Sequence, residues 1–172
     1  MNELTPELFT EVNKHLFSTE QKSLIADVAL IREHLQKFDH ISDYSFLVSP
    51  VSKAYEGYLK DFFLRVGIID DYAYKSDRFR VGKTLNPSLR YKRFSIYQKL
   101  IDLDAKGEEL AEILWTAWKY GRNEIFHYFP GSLKNIDRPE AEDRIALVFK
   151  AIIESGKFLQ LHLDNQDLEP LI

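Results

Sequence analysis

Apolar residues recur three and four positions apart along most of this chain, the spacing of helices that bury one face. Thr5 ahead of Pro6, with Leu8, Phe9, Val12 and Leu16 behind them, predicts a short leading helix. Ser18-Thr19-Glu20-Gln21 has the form of a capping box, and Leu24, Ile25, Val28, Ile31 and Leu35 carry a second helix to about residue 38. Residues 39–47 lack a clear period and are read as a connection. Ser49 then caps a third helix with Pro50 at its start. Its wide stripe of Val51, Ala54, Tyr55, Tyr58, Leu59, Phe62, Phe63 and Val66 predicts burial on more than one side, with Gly67 as its C-terminal cap.

Residues 70–87, with Gly82 and Asn86-Pro87, predict an extended loop holding at most a short helix or hairpin. A helix follows over 88–103, and Lys106-Gly107 marks a break. The next helix runs from Glu108 through Trp118 and either continues across Gly121 or kinks there, before Pro130-Gly131 ends it. Pro139 opens a last long helix through Ile145, Val148, Phe149, Ile152, Ile153 and Phe158. No strand pattern competes. The expected fold is all-α, a bundle of about six helices with a long basic loop after the third. The chain of 172 residues is read as a single domain, 1–172, whose leading helix 5–16 and tail 164–172 lie at the periphery.

Composition narrows the functional classes. The absence of cysteine removes disulfides, thiolate zinc sites and a cysteine nucleophile. The start of the chain has no leader pattern and no apolar run long enough to span a bilayer, so a cytoplasmic protein that makes no use of a membrane is expected. Glycine-rich phosphate loops, His-x3-His pairs and Asp-x-Asp arrays are missing as well, and neither a metal nor another cofactor is indicated.

The net charge of -4 argues against nucleic-acid binding by the whole surface, yet its distribution reverses that impression locally. Lys75, Arg78, Arg80, Lys83, Arg90, Lys92 and Arg93 face the single acid Asp77, leaving the rest of the molecule strongly acidic. Tyr72, Tyr74, Phe79, Tyr91 and Phe94 are interleaved with them. Cations among aromatic rings suit RNA, whose phosphates need charge and whose unpaired bases stack.

Two stretches carry candidate chemistry. In 121–130, Gly121-Arg122-Asn123 precedes His127-Tyr128 on a helix rich in aromatic residues. Arg is always charged and matches phosphate oxygens with a planar fork of donors, while His moves protons near neutral pH. Asn123 and His127 share a helix face, but Arg122 and His127 differ by about 140° in an ideal helix. Convergence therefore needs a long reach, a distortion beside Gly121, or a second copy across a two-fold axis. In Ala54-Tyr55-Glu56-Gly57-Tyr58-Leu59-Lys60, Glu56 sits within the apolar stripe and needs a partner. Arg122 and His127 are candidates, as is Lys60 at i+4.

These two stretches together resemble the HEPN ribonucleases, whose motif is Arg-x4-6-His. Among these they are most similar to the C-terminal toxin domain of RNase LS, half of an anti-phage toxin–antitoxin pair. The resemblance covers roughly residues 20–165. It implies a HEPN-like helical fold and a metal-independent endoribonuclease in which Glu56, Arg122 and His127 are catalytic, with Asn123 and Tyr128 in support. RNase LS toxins carry further N-terminal domains, and HEPN toxins paired with small nucleotidyltransferases show His-x-Tyr, where Phe129 stands here.

The implied reaction is attack of the ribose 2′-OH on the adjacent phosphorus, leaving 2′,3′-cyclic phosphate and 5′-OH ends. His127 would move protons, Arg122 would stabilise developing charge and Glu56 would orient one of them. The basic residues of 75–93 would bind the RNA, two copies of the chain would build a composite site as a homodimer, and a protein antitoxin is a possible partner. The competing reading is a non-catalytic helical module that binds nucleic acid or protein through 75–93. It would require Glu56, Arg122 and His127 to be dispersed, or sealed beneath Trp115 and Trp118.

Overall fold

The third helix is the axis on which the rest is built. A computed structural model describes residues 4–37, 41–126 and 135–166, which contain eight α-helices and, among the described residues, no strand. These are α1 (Pro6–His15), α2 (Thr19–His34), α3 (Ser45–Arg65), α4 (Asp71–Lys75), α5 (Val81–Thr84), α6 (Ile96–Leu103), α7 (Gly107–Trp118) and α8 (Arg138–Gln166). Helix α3 packs against α2 and α8, and α7 joins α8 beside it. Its apolar stripe is buried as the pattern predicts, including Val51, Tyr55, Tyr58, Leu59, Phe62 and Phe63.

Buried tyrosines tie α3 to its neighbours through their hydroxyls. Tyr55 donates to the Leu114 carbonyl of α7 at 3.0 Å, and Tyr58 donates to the Ile152 carbonyl of α8 at 3.0 Å beside Ser155 Oγ. Burial holds both phenols well above their ordinary pKa, so they remain neutral donors.

Local signals account for several boundaries. Thr5 and Ser18 cap α1 and α2 with their side chains. Gln21 completes its box one residue early, accepting from Phe17 N at 3.0 Å, and its amide donates to Asp61 of α3 at 2.6 Å. Gly67 takes a φ of 72°, and the bonds Gly67 N to Leu64 O and Ile68 N to Phe63 O close α3 in a Schellman turn. The leading helix, expected at the periphery, buries Phe9 and Val12, with Phe9 edge-on to Phe149 of α8 at 5.0 Å. The tail from residue 167 lies outside the described residues.

Three boundaries differ from expectation. Helix α3 begins at Ser45, so Pro50 lies inside it rather than at its start. Asp43 explains the earlier start, because its Oδ1 accepts from both N and Oγ of Ser45 and from Ile136 N ahead of α8. Burial pushes the Asp43 carboxyl up, but these hydrogen bonds outweigh it and hold the group below its usual value. The basic stretch is not one long loop, since α4, α5 and a 3₁₀ turn at Pro87–Leu89 lie within it. Helix α6 starts at Ile96 rather than near residue 88, because Ser95 Oγ caps it by accepting from Gln98 N at 3.2 Å.

Candidate functional site

The motif stretch leaves α-helical geometry where Gly121 stands. Past Trp118 the chain forms a single π-helical turn, Lys119–Asn123, closed by Glu124 N to Lys119 O at 3.0 Å. Such turns are rare in general and frequent at functional sites. Its causes are tertiary. A methyl group at Gly121 would collide with Val148 of α8, so only glycine allows the turn to lie against that helix. The buried Ser52 hydroxyl of α3 donates to the Gly121 carbonyl. Arg144 of α8 donates to the Tyr120 carbonyl at 2.7 Å and pairs with Glu140 at 2.6 Å and Glu124 at 3.4 Å.

Arg122 projects from this turn between two rings. Its guanidinium carbon lies 5.2 Å from the Trp118 ring centroid and 5.3 Å from that of Phe126, a ladder at spacings of four residues. Its Nη2 donates to Glu56 Oε2 at 3.4 Å, and the two side chains retain 35% and 34% of their accessible surface. Glu56 is thus at the rim of the α3 stripe rather than in the interior, and of its anticipated partners within the described residues, Arg122 and Lys60, Arg122 is the one that forms the ion pair. An ion pair this open is worth about 0–1 kcal/mol, so fold stability does not demand it and an incoming anion competes for Arg122 at little cost.

The pair borders a cleft of about 540 Å³ also lined by Leu24, Phe46, Pro50, Lys53 and Phe126. One wall is apolar. The other offers an arginine, a carboxylate and Lys53, which is exposed one turn before Glu56 and makes no ion pair among the described residues. The arrangement can hold an anionic group against Arg122 and Lys53 with an apolar or aromatic moiety beside it. Among the described residues, no group of three or more His, Asp or Glu side chains is placed to hold a metal ion.

Of the predicted site residues, Glu56 and Arg122 are brought together and Asn123 ends the same π turn. His127 and Tyr128 lie outside the described residues. The dispersal or sealing that the competing reading requires is not seen for Glu56 and Arg122, since Arg122 rests on Trp118 without being covered by it. All seven predicted basic residues, Lys75, Arg78, Arg80, Lys83, Arg90, Lys92 and Arg93, are exposed, and none forms an ion pair among the described residues.

Sequence reasoning missed Lys53, Ser52 and the Trp118–Arg122–Phe126 ladder. The ladder had a signal in its i, i+4, i+8 spacing. The Ser52 and Arg144 contacts had none, because their partners are 69 and 24 residues distant. No helix among the described residues is long and apolar enough to cross a membrane. Comparison with known protein families, curated proteins and solved structures finds no match for this chain.

Proposed function

We propose that the chain is a metal-independent HEPN-type endoribonuclease, the toxin of a toxin–antitoxin or phage-defence pair, and that the Arg122–Glu56 cleft is its catalytic centre. The observation that carries this reading is the setting of Arg122. A guanidinium is clamped between two rings on a distorted turn, oriented by a carboxylate from another helix, and left open to an anion. Preorganised charge of this kind stabilises a transition state more than a ground state.

In the proposed reaction the 2′-oxygen forms a bond to phosphorus as the P–O5′ bond breaks. The 2′-hydroxyl proton goes to a general base, and the departing 5′-oxygen takes a proton from a general acid. Arg122 neutralises the extra charge on the phosphorane-like transition state, with Lys53 as a second cation on the same cleft. Glu56 fixes the guanidinium. His127, next in the chain after the cleft residue Phe126, supplies proton transfer, and a homodimer would provide a second imidazole for the opposite role.

The test is incubation of the purified chain with end-labelled RNA in EDTA, beside His127→Ala. The expected result is cleavage to 2′,3′-cyclic phosphate and 5′-OH ends, lost in the variant while its circular dichroism is unchanged. Cleavage that stops in EDTA, yields 3′-OH ends, or survives His127→Ala overturns the reading.

A further inference from the structure

A continuous series of contacts leads from the cleft onto the cationic surface. The Trp118 indole that supports Arg122 lies against α5 so closely that a methyl group at Gly82 would strike its Nε1 edge. The next residue, Lys83, places its ammonium 5.1 Å from the Phe94 ring centroid. Phe94 is 42% exposed although it adjoins the buried Ser95 cap of α6. Three residues earlier Tyr91 is 83% exposed, and the Arg90 guanidinium lies 4.9 Å from its ring and donates to its hydroxyl at 2.7 Å. Lys92 and Arg93 lie between the two rings in the chain, and both are exposed.

Large rings left in water beside cations that form no ion pair among the described residues contribute little to the fold, their exposed cation–π contacts being worth about 0.5–1 kcal/mol each. Each ring also comes with its own cation. This is a repeating unit of one flat apolar face and one positive charge, which matches the repeating unit of an unpaired nucleotide. A duplex turns its base faces inward and offers only phosphates to such a surface, leaving the rings without a role. An acidic protein segment would pair with the cations but has no regular series of flat faces for Tyr91 and Phe94.

We infer that Lys83, Arg90, Tyr91, Lys92, Arg93 and Phe94 form a binding track for single-stranded RNA, with bases stacked on Tyr91 and Phe94 and the strand leading over Trp118 into the Arg122 cleft. This rests on the ribonuclease reading for the strand's destination, though not for its binding. The substrate class is accordingly unpaired RNA, and the cleaved bond lies a few nucleotides from the stacked bases.

The experiment measures fluorescence anisotropy of a labelled 2′-O-methyl oligouridine of about 12 nucleotides, within the usual site size of single-strand binders. That strand cannot be cut by 2′-OH attack, so its affinity is independent of catalysis. The wild-type chain is expected to bind it more tightly than the same strand annealed to its complement. Tyr91→Ala and Phe94→Ala are each expected to weaken binding about tenfold. Phe94→Trp, which keeps a stacking face, should retain it and excludes misfolding as the cause. Lys83→Gln with Lys92→Gln is expected to reduce the salt slope by about 1.4, the value for two phosphate contacts on a single strand.

Equal affinity for the duplex, unchanged affinity in both ring variants, or no binding at all overturns the track. Parallel incubation with unmodified RNA separates the two readings. Binding without cleavage sinks the nuclease and leaves the track, whereas cleavage with unaltered ring variants does the reverse.

Discussion

Tyr55 and Glu56 are neighbours on α3 and live in opposite regimes. The tyrosine is sealed, neutral and bonded to a backbone carbonyl on another helix. The glutamate is a third exposed and holds an arginine at 3.4 Å. A buried hydrogen bond stabilises by about 1 kcal/mol and costs more when only one partner is removed, while an open ion pair contributes little. One helix thus presents a side that keeps the fold and a side whose polar groups are free to act on something else. The division lies between adjacent residues because a helix rotates its side chains by 100° per step.

The sharpest way to break this contrast is Arg122→Ala. Cleavage is expected to fall by about 10² to 10³-fold, the cost of losing a preorganised donor. The melting midpoint should move by less than about 3 °C, as the pair carries little stability. An unchanged rate, or a large drop in the midpoint, would place Arg122 on the structural side. Gly121→Ala should blur the division, because the added methyl meets Val148. A loss of about 1–3 kcal/mol in chemical denaturation is expected, together with reduced cleavage. With Val148→Ala in the same chain the two changes should be less than additive, since the second makes room for the first. The smallest effect belongs to Tyr58→Phe, which removes the donor to the Ile152 carbonyl and the hydroxyl beside Ser155 Oγ. About 1 kcal/mol should be lost, seen as a midpoint lower by a few degrees, with cleavage rates unaltered.

Local rules were enough for much of the architecture. Ser18 with Gln21, Thr5 with Pro6, and Gly67 each act within a turn or two of the backbone, and each does what its chemistry predicts. Helix α3 starts earlier than its sequence suggests because Ser49-Pro50 looks like a local beginning, whereas Asp43 sets the first turn through bonds to Ser45 and to Ile136. The basic stretch read as a loop because its helices are only one or two turns long, too short to show a period. At the site, the pairing of Glu56 with Arg122 was among the anticipated possibilities. The π turn that produces it was visible only as a need for some distortion beside Gly121. Its determinants sit on α3 and α8, where no sequence window reaches.

Arg144 gives that turn a further meaning. The Tyr120 carbonyl it caps and the Glu124 carboxylate it joins belong to a segment that meets Arg144 only once α8 has docked. The geometry that aims the guanidinium therefore depends on α8 as well as on the turn itself. The turn that carries Arg122 thus takes its shape from a helix far along the chain and keeps it only while that helix stays in place.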